Sequence, residues 1–360
     1  MKKLLAVLLV LAAVLFVFAA CSKKAEAGVE QARSTDVTQG MDRKIVMGYS
    51  QIGAESEWRT ACTNSVQAAA KEWNIDLRFS DAQQQQQNQL QAIRTFIQQK
   101  VDIIAFTPVV ETGWEAILKE CLDAGIPTIC VDRSIEGSDR ISTNPNDTSD
   151  PDNWFTAFIG SDMEQEGNRV AKWMMANVPA LKPDKTVYNI AELQGTVGSS
   201  AMTGRFKGFR DTLGIPAATA LGTSSDGKYK IILSQTGDFT RAQGKQVMEA
   251  FLKSNPDDID VLFAHNDDMA IGAIQAIQEA GKVPAKDIII IGVDAVKGAF
   301  EAMVAGTMNA SIECNPLLGP QVMETAVKIL NGQPVEKWVV SNESDYDQTN
   351  AAAAFPSRQY

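Results

Sequence analysis

The chain has 360 residues, with 44 acidic and 33 basic side chains and a formal net charge of −11. This acidic balance argues against a nucleic-acid-binding protein, which needs a basic face. The roughly 320 residues that follow the N-terminal segment are more than one hydrophobic core usually serves, so we expect two lobes.

The first 21 residues have the pattern of a secretory signal. Two lysines precede an apolar run from Leu4 to Phe18, and two alanines then lead to Cys21. The run is shorter than the ~20 residues of a membrane-spanning helix. Residues 22–41 have no apolar period and are predicted to form a flexible tether.

Because the segment ends on a cysteine, it resembles a bacterial lipoprotein signal, although Phe18 replaces the usual leucine three residues earlier. The resemblance implies that Cys21 is lipidated, becomes the mature N-terminus and anchors the chain to a membrane. A secreted protein that is cut nearby is the alternative. No later apolar run approaches the length of a membrane span, so we expect the remainder to be soluble.

Four β-rich runs alternate with three helical patterns in the first part of the chain. Strands are predicted in KIVMGYS, IDLRFSD, VDIIAFTP and IPTICVD, and the runs between them carry apolar residues every three to four positions. This alternation is the signature of a parallel sheet with helices on both faces.

A second alternating series follows a polar loop at residues 136–154. It runs from AFIGSD to NASIECNP and continues with the helix GPQVMETAVKILNG and with EKWVVSN as the last clear strand. The loop lacks the spacing of an EF-hand and is interpreted as solvated surface rather than a calcium site. The whole pattern predicts an α/β fold with two doubly wound parallel-sheet lobes, whose strand ends face a shared cleft.

Motifs for nucleotides and for catalytic nucleophiles are absent or fail in context. The stretch from Gly222 to Tyr229 nearly matches a phosphate-binding loop, but Tyr229 stands where a small hydroxyl must reach magnesium. A strand also follows it where a helix N-terminus is required, so we predict a turn. No G-x-G-x-x-G follows the first strand and no G-x-S-x-G occurs, so neither a cofactor nor a serine hydrolase is predicted.

The cysteines and the single histidine give no metal motif. The four cysteines after Cys21 form no C-x-x-C pair, and His265 has no second histidine to join it. Cys121 and Cys130 could pair in an oxidising compartment, since one ends a helix pattern and the other lies in the next strand. Buried free thiols are the favoured interpretation.

Charged pairs and aromatic side chains recur where the predicted strands stop. They are Glu55, Trp58 and Arg59 after the first strand, Asp132 and Arg133 after the fourth, and Phe239, Asn266 and Asp294 in the second series. Carboxylates accept hydrogen bonds from sugar hydroxyls, guanidinium groups donate in a rigid fork, and aromatic faces cover C–H patches. This chemistry fits a polyhydroxylated ligand.

The order and spacing of these segments resemble the type I periplasmic sugar-binding proteins, the ribose- and galactose-binding family that serves ABC importers. The landmarks are CVDRSI, AHNDDMAIGAIQAI and GVDA, and the resemblance covers residues 44 to about 340. More narrowly, GYSQIGAESEWR, TPVVETGW, ELQGTVG and QTGDFTRAQGKQVMEAF are similar to the galactofuranose-binding branch.

The resemblance implies ligand-binding roles at the positions that match. Asp132 and Arg133 match the family's sugar-hydroxyl pair, and Phe239 matches an aromatic residue that covers the sugar. Asn266 and Asp294 match ligand-binding positions of the second lobe.

Several positions depart from the ribose-binding branch. Trp58 and Arg59 stand where that branch has two phenylalanines, and with Glu55 nearby they imply a more polar face. Thr107 replaces an asparagine, which argues against ribose itself. Arg205 lies two positions from the arginine of the ribose branch and is kept as a candidate ligand-binding residue.

The resemblance also implies the division of the chain and its mode of action. The first lobe would comprise residues 42–160 plus 315–342 and the second 161–314 plus 343–360, joined by three hinge crossings. The lobes would close over a galactofuranose- or galactose-like monosaccharide. The closed protein, expected to be a monomer, would then dock on the permease of an ABC transporter.

Three other functions remain open on the sequence. A glycoside-acting enzyme needs two acids with separated pKa values, whereas Asp132 beside Arg133 would stay ionised. A transcriptional regulator would need an N-terminal helix-turn-helix in place of the signal. A receptor subunit for a membrane sensor is not distinguished by sequence from a component of an importer.

The stretch AHNDD lies between a strand and a helix and holds the only histidine. Asp267 or Asp268 is predicted at the positive N-terminal end of the helix. We predict that the amide of Asn266 contacts the ligand and that His265 does not.

Overall fold

Two β-sheets flanked by helices organise the protein. The structure, a computed structural model, describes residues 43–136 and 154–360, and residues 45–360 form one unit. The predicted signal, Cys21 and the tether lie outside the described residues. Residues 137–153, most of the polar loop, also lie outside them.

The first sheet has six strands: β1 (Val46–Gln51), β2 (Asp76–Asp81), β3 (Ile103–Phe106), β4 (Thr128–Val131), β5 (Ala157–Gly160) and β12 (Trp338–Val340). Their order is β12-β5-β4-β3-β1-β2, and every pair is parallel. All residues of β3, β4 and β5 are buried, as expected of a parallel sheet that is covered on both faces.

The second sheet has seven strands: β6 (Tyr188–Gln194), β7 (Gly222–Thr223), β8 (Tyr229–Thr236), β9 (Val261–Ala264), β10 (Ile289–Asp294), β11 (Ala310–Glu313) and β13 (Asp345–Asp347). Their order is β13-β11-β10-β9-β6-β8-β7. The pairs are parallel except at the two edges, where β7 and β13 run antiparallel to their neighbours. The predicted α/β class with two doubly wound sheets is confirmed.

The helices are α1 (Glu57–Glu72), α2 (Gln86–Gln98), α3 (Glu115–Asp123), α4 (Met163–Leu181), α5 (Ser200–Leu213), α6 (Arg241–Ser254), α7 (Asp267–Glu279), α8 (Lys297–Val304), α9 (Gly319–Leu330) and α10 (Ala351–Ala354). Side-chain caps fix where five of them begin, and Asp162 and Asn266 cap α4 and α7. Ser56, Ser199 and Thr240 accept hydrogen bonds from the first-turn amides of α1, α5 and α6. Since these helices follow strand ends, the caps place their first turns beside the cleft.

The two antiparallel edge strands were not expected from the sequence. β7 and β8 form a hairpin around the turn that we predict between Gly222 and Tyr229. β13 holds only three residues, two of them aspartates, so it shows no apolar alternation along the sequence.

The chain passes between the two sheets three times: after β5, after β11 and between β12 and β13. The second passage leads into α9, which packs on α1 of the first sheet. These passages are the only covalent links between the two sheets among residues 154–360.

Two glycines let α4 and α5 approach closely. A Cβ on Gly167 would lie 2.2 Å from the carbonyl oxygen of Arg205, and one on Gly208 would lie 1.9 Å from that of Glu164. Any side chain would therefore force the two helices apart. This contact holds the start of α5 against α4 at the edge of the cleft.

All four described cysteines, Cys62, Cys121, Cys130 and Cys314, are buried free thiols. The structure therefore agrees with the favoured interpretation, and the Cys121–Cys130 disulfide is not formed. Among residues 43–136 and 154–360, no helix combines the length and apolarity needed to span a membrane.

Candidate functional site

A cavity of about 280 Å³ lies between the two sheets, where strands end and helices begin. It is lined by Glu55, Ser56, Trp58, Arg59, Asp132, Arg133, Ala201, Arg205, Phe239, Asn266, Asp294 and Cys314. The structure thus brings together all nine side chains that the sequence singles out.

Four buried charged side chains form a network on the first-sheet side of the cavity. Arg59 Nε lies 3.0 Å from Glu55 Oε1, and Arg59 Nη2 lies 2.7 Å from Asp132 Oδ2. Arg133 Nη2 is 4.0 Å from Glu55 Oε1, and its Nη1 donates to the carbonyl of Val109 at 3.1 Å. The two acids and two guanidinium groups balance in charge, which is what burial of such groups requires.

Each of these four side chains also has a buried polar atom without a hydrogen-bond partner in the described chain. The atoms are Glu55 Oε2, Arg59 Nη1, Asp132 Oδ2 and Arg133 Nε. Asp132 Oδ2 is close enough to Arg59 to pair in charge, but the angle of that contact does not make a hydrogen bond. Because buried polar groups are nearly always hydrogen-bonded, this cluster indicates a polar ligand that completes the site.

The network keeps its members charged. Burial would raise the pKa of Glu55, but the guanidinium groups of Arg59 and Arg133 outweigh it and hold that pKa below its usual value. Burial and the neighbouring charge of Arg59 lower the pKa of Arg133 to about 10, which still leaves it protonated at neutral pH. The first-sheet side therefore offers ionic donors and acceptors at fixed positions.

Arg205 is the centre of the network on the second-sheet side. Its Nε lies 2.6 Å from Glu166 Oε2, and its Nη1 donates to the carbonyl of His265 at 2.5 Å. Its Nη2 lies 3.4 Å from Asp294 Oδ1. Burial raises the pKa of Asp294, and the charge of Arg205 opposes this only in part.

Two aromatic rings complete the walls of the cavity. The indole Nε1 of Trp58 donates to the carbonyl of Cys314 at 2.6 Å, which fixes the ring against the second chain passage. The ring centroid of Phe239 lies 5.1 Å from the guanidinium carbon of Arg133 and 5.8 Å from that of Arg205. Phe239 thus stands between two cations that its π-face attracts.

Phe239 needs the space that Gly195 leaves, because a Cβ there would lie 1.9 Å from the ring. Three of the predicted site residues also have an unusual backbone: φ is 63° at Asp132, 59° at Phe239 and 123° at Asp294. Non-glycine residues at such angles cost about 1–3 kcal/mol each and cluster at functional sites.

Asn266 lines the cavity and also caps a helix. It is the N-cap of α7, where its Oδ1 accepts from the amide of Met269 at 3.0 Å. Its Nδ2 donates to the carbonyl of Phe239, also at 3.0 Å. Asp267 and Asp268 lie in the first turn of α7, so the prediction that one of them lies at the positive N-terminal end of this helix is confirmed.

His265 lies outside the cavity lining, in a fully buried cluster. Its Nε2 is 3.1 Å from Glu192 Oε1, and Glu192 also accepts two hydrogen bonds from Arg210 at 2.8 and 2.7 Å. Burial lowers the pKa of His265, which favours the neutral ring. Its side chain supports the second sheet, while its carbonyl orients Arg205.

Contacts across the mouth of the cleft join the two sheets. The amide of Glu57 donates to Asp268 Oδ2 at 2.8 Å, and Arg241 Nη2 lies 2.8 Å from Asp268 Oδ1 and 3.6 Å from Glu57 Oε2. We call Glu57, Arg241 and Asp268 the outer clasp. On the other side of the cleft, Ser134 N donates to Ser200 Oγ at 2.9 Å. The cleft is therefore closed.

Sequence reasoning missed the residues that hold the site rather than line it. Glu166 orients Arg205 from the first turn of α4, and no motif marks it. The outer clasp joins residues more than 180 positions apart, so no local pattern could reveal it.

Among the described residues, Glu166, Cys314 and Glu343 form a group whose oxygen and sulfur atoms lie within 4.8 Å of one another. A metal could bridge such a spacing. However, Arg205 pairs with Glu166 and Arg169 pairs with Glu343, so the carboxylates already have cationic partners. The group is therefore not assigned as a metal centre.

A family model described as a periplasmic binding protein domain matches residues 47–334. The chain belongs to this family. The match includes strands of both sheets, up to β11, and every cavity-lining residue, which confirms the resemblance drawn from the sequence.

Among curated proteins, the chain is similar to the galactofuranose-binding protein YtfQ of Escherichia coli strain K12. The two are 42% identical over 279 residues, which cover 77% of this chain and 79% of the relative. This similarity confirms the narrower resemblance to the galactofuranose-binding branch.

The chain is also similar to solved structures that contain furanose sugars. A protein from Mycobacterium smegmatis in complex with β-D-fucofuranose is 45% identical, with a TM-score of 0.77 and coverage of 88% of this chain and 95% of that one. The periplasmic binding component of an arabinose ABC transporter from Shewanella sp. ANA-3, bound to α- and β-L-arabinofuranose, is 41% identical, with a TM-score of 0.76 and coverage of 87% and 95%.

Proposed function

We propose that this periplasmic binding protein captures a monosaccharide in the closed cleft and delivers it to the permease of an ABC transporter. The family implies an extracytoplasmic location. The observation that carries the proposal is the set of unpartnered buried donors and acceptors on Glu55, Arg59, Asp132 and Arg133. A molecule with several adjacent hydroxyl groups can both donate to the acids and accept from the guanidinium groups.

The ligand we favour is galactofuranose or a similar five-membered-ring sugar. YtfQ is named for galactofuranose, and the two solved relatives hold fucofuranose and arabinofuranose. The charges lining the cavity are balanced, which suits an uncharged ligand. The nine predicted side chains, Glu55, Trp58, Arg59, Asp132, Arg133, Arg205, Phe239, Asn266 and Asp294, are proposed as its contacts, with Asn266 acting mainly through Phe239.

We further propose that the two sheets belong to two lobes, residues 42–160 plus 315–342 and residues 161–314 plus 343–360. The three chain passages would act as the hinge, and a ligand that contacts both lobes would bias them toward closure. Trp58 and Arg133 approach it from the first lobe, and Phe239 and Arg205 from the second.

We propose binding rather than catalysis as the activity. The guanidinium groups of Arg59 and Arg133 hold the pKa of Glu55 below its usual value, which disfavours the protonated form that a general acid needs. Incubation with aryl furanosides and pyranosides should release no sugar. Steady turnover that is lost in Asp132→Asn would instead support an enzyme.

Lipidation of Cys21 and a monomeric state complete the proposal. A Cys21→Ser variant expressed with its signal should shift from the membrane fraction to the soluble fraction. Retention in the membrane fraction would contradict the anchor.

A thermal-shift screen of monosaccharides tests the central proposal. It should include galactose, arabinose and fucose, which supply furanose forms in solution, together with synthetic methyl furanosides and pyranosides locked in one ring form. A sugar that binds only the folded protein raises Tm by mass action, and about 2.7 kcal/mol is gained at one hundred times Kd. No shift with any furanose or pyranose would overturn sugar binding, and a shift only with locked pyranosides would overturn the ring-form preference.

A further inference from the structure

The three chain passages meet at one buried hydrogen-bonded cluster, which we call the hinge cluster: Ser161, Glu166, Cys314 and Glu343. Ser161 comes from the first passage, Cys314 from the second and Glu343 from the third; Glu166 comes from α4. The hydroxyl of Ser161 donates to Glu343 Oε1 and lies 3.4 Å from Cys314 Sγ. A movement of any passage must therefore rearrange this cluster.

The hinge cluster is connected directly to the cavity. Glu166 Oε2 holds Arg205 Nε at 2.6 Å, and Arg205 lines the cavity beside Asp294. Glu166 Oε1 has no hydrogen-bond partner in the described chain although it is fully buried. The position of a ligand-facing guanidinium thus depends on a carboxylate that belongs to the hinge.

Two carboxyl groups share this small buried space with few cations. The charged and titratable groups that face Glu343 from the surrounding elements are Glu166 and Arg169 on α4, Cys314 in the second passage and Asp345 on β13, with Arg205 and Asp294 beyond Glu166. Arg169 is shared, because it lies 3.3 Å from Glu343 and 2.5 Å from Asp345. One arginine between two acids cannot fully balance Glu343 as well as Asp345.

We propose that Glu343 is a positioning residue for ligand binding: closure of the cleft carries one proton into the hinge cluster, where Glu343 holds it beside Glu166, the carboxyl group that orients Arg205. This proposal rests on the proposed function only where its test measures the affinity for a sugar. Burial, followed by the nearby charge of Glu166, raises the pKa of Glu343 to about 8. In an open cleft the third passage would be more solvated, and the pKa of Glu343 would return toward its usual range.

The direction of the pH effect follows from proton uptake on closure. Between the pKa of the open form and about 8, the closed form binds one more proton, so closure and ligand affinity fall as pH rises. The limiting slope is tenfold in Kd per pH unit, because one proton is taken up. Above about pH 8 both forms are ionised and this contribution becomes constant.

The experiment compares the full-length protein with Glu343→Gln, which keeps the shape but cannot titrate. With the best sugar of the screen, calorimetric Kd values between pH 5.5 and 9 should rise by up to ~100-fold for the unmodified protein and much less for Glu343→Gln. Glu324→Gln, on the exposed face of α9, is the matched control and should keep the wild-type slope. Equal slopes in Glu343→Gln and the unmodified protein would overturn the proposal.

A sugar-free test follows the proton itself and is separate from the sugar-binding proposal. Ser134 and Ser200 meet across the closed cleft, so a disulfide in the Ser134→Cys, Ser200→Cys variant should hold the cleft closed without sugar. At pH 6.5 the infrared spectrum of the disulfide form minus that of the reduced form should show the carbonyl band of one newly protonated carboxyl, and adding Glu343→Gln should remove it. If that variant fails to fold, adding Ser161→Ala provides the test: the Ser161 hydroxyl lowers the pKa of Glu343, so without it the band should persist to higher pH. An unchanged difference band in Glu343→Gln, or no change with Ser161→Ala, would reject Glu343 as the proton holder even if no sugar binds.

Discussion

The guanidinium of Arg133 lies in surroundings that disfavour its charge. It is buried beside another arginine, Arg59, and its pKa falls to about 10 as a result. Its Nε has no partner in the described chain. An arginine with an unpartnered buried donor gains a hydrogen bond when a polar ligand binds. This gain contributes to the affinity for the ligand.

Arg133→Ala should therefore affect binding much more than folding. Loss of two charge-assisted hydrogen bonds, at ~1.5–3 kcal/mol each, predicts a Kd at least ~100-fold higher. The Tm without sugar should change little, because removal of Arg133 also relieves its repulsion with Arg59. Thermal shift and calorimetry check both parts, with Arg94→Ala on the exposed face of α2 as the control. An unchanged Kd would remove Arg133 from the site.

Glu192 differs from Arg133, because its contacts stabilise the fold and it does not line the cavity. It pairs with Arg210 in a bidentate geometry, and both side chains are fully buried. Burial would raise the pKa of Glu192, but Arg210 and His265 lower it to about 2. Its stabilising contribution is therefore present above about pH 4.5 and lost as pH falls toward 2.

Glu192→Gln should lower the free energy of unfolding at pH 7 by ~3–5 kcal/mol, because it leaves Arg210 buried without its counter-charge. The loss should shrink as the pH falls below 4.5. Urea unfolding of both proteins at pH 7 and pH 3.5 measures the difference in the free energy of unfolding. The Kd of the folded variant for the sugar should stay within a few-fold of that of the unmodified protein. A pH-independent loss would show that packing rather than charge is responsible.

At the scale of elements, helix starts decide how the cleft closes. The first turns of α1 and α7 face each other across the mouth of the cleft, and the outer clasp joins them. Asp268 is the central member, because it accepts from the amide of Glu57 and also pairs with Arg241. The two contacts of Glu57, with Asp268 and with Arg241, exist only when the two sheets are close, so they favour closure without touching the ligand. The Arg241–Asp268 pair lies on the second-sheet side and positions Asp268.

Asp268→Ala should weaken binding by speeding release. Loss of the charge-assisted hydrogen bond from the Glu57 amide, worth ~1.5–3 kcal/mol, predicts a Kd ~10- to 150-fold higher. Stopped-flow fluorescence should place most of this change in the dissociation rate. Asp257→Ala, which breaks an exposed ion pair with Lys282, should leave the rate unchanged. If both variants release sugar at the wild-type rate, the outer clasp has no role in closure.

At the scale of the whole molecule, three passages are the only covalent links between the sheets among residues 154–360, while the cavity is closed by side-chain contacts from both. Such an arrangement can open by bending at the passages without disturbing either core. The hinge cluster lies where those bends would occur.

Small-angle X-ray scattering should show this opening directly. A compact chain of this length has a radius of gyration of about 20 Å. Protein without sugar should exceed the value of the sugar-bound protein, and saturating ligand should shift the scattering curve to that of the closed structure. A shortened chain that begins at residue 42 is the control for the tether. Identical curves with and without a sugar that binds would contradict hinge closure.

The sequence by itself determined the alternation of strands and helices, and hence the parallel sheets. Their apolar runs and caps are local patterns that tertiary contacts did not override. It also placed Glu55, Arg59, Asp132 and Arg133 at strand ends, because parallel strands present their carboxyl ends to one side of a sheet.

The tertiary structure alone decided how those side chains are used. Asn266 became a helix cap that holds Phe239, because the strand end turns its amide toward the start of α7. The pairing of Arg205 with Glu166, the outer clasp and the hinge cluster join residues distant in sequence. Such contacts depend on the register of packed helices and on the meeting of three chain passages, which no periodicity along the chain encodes.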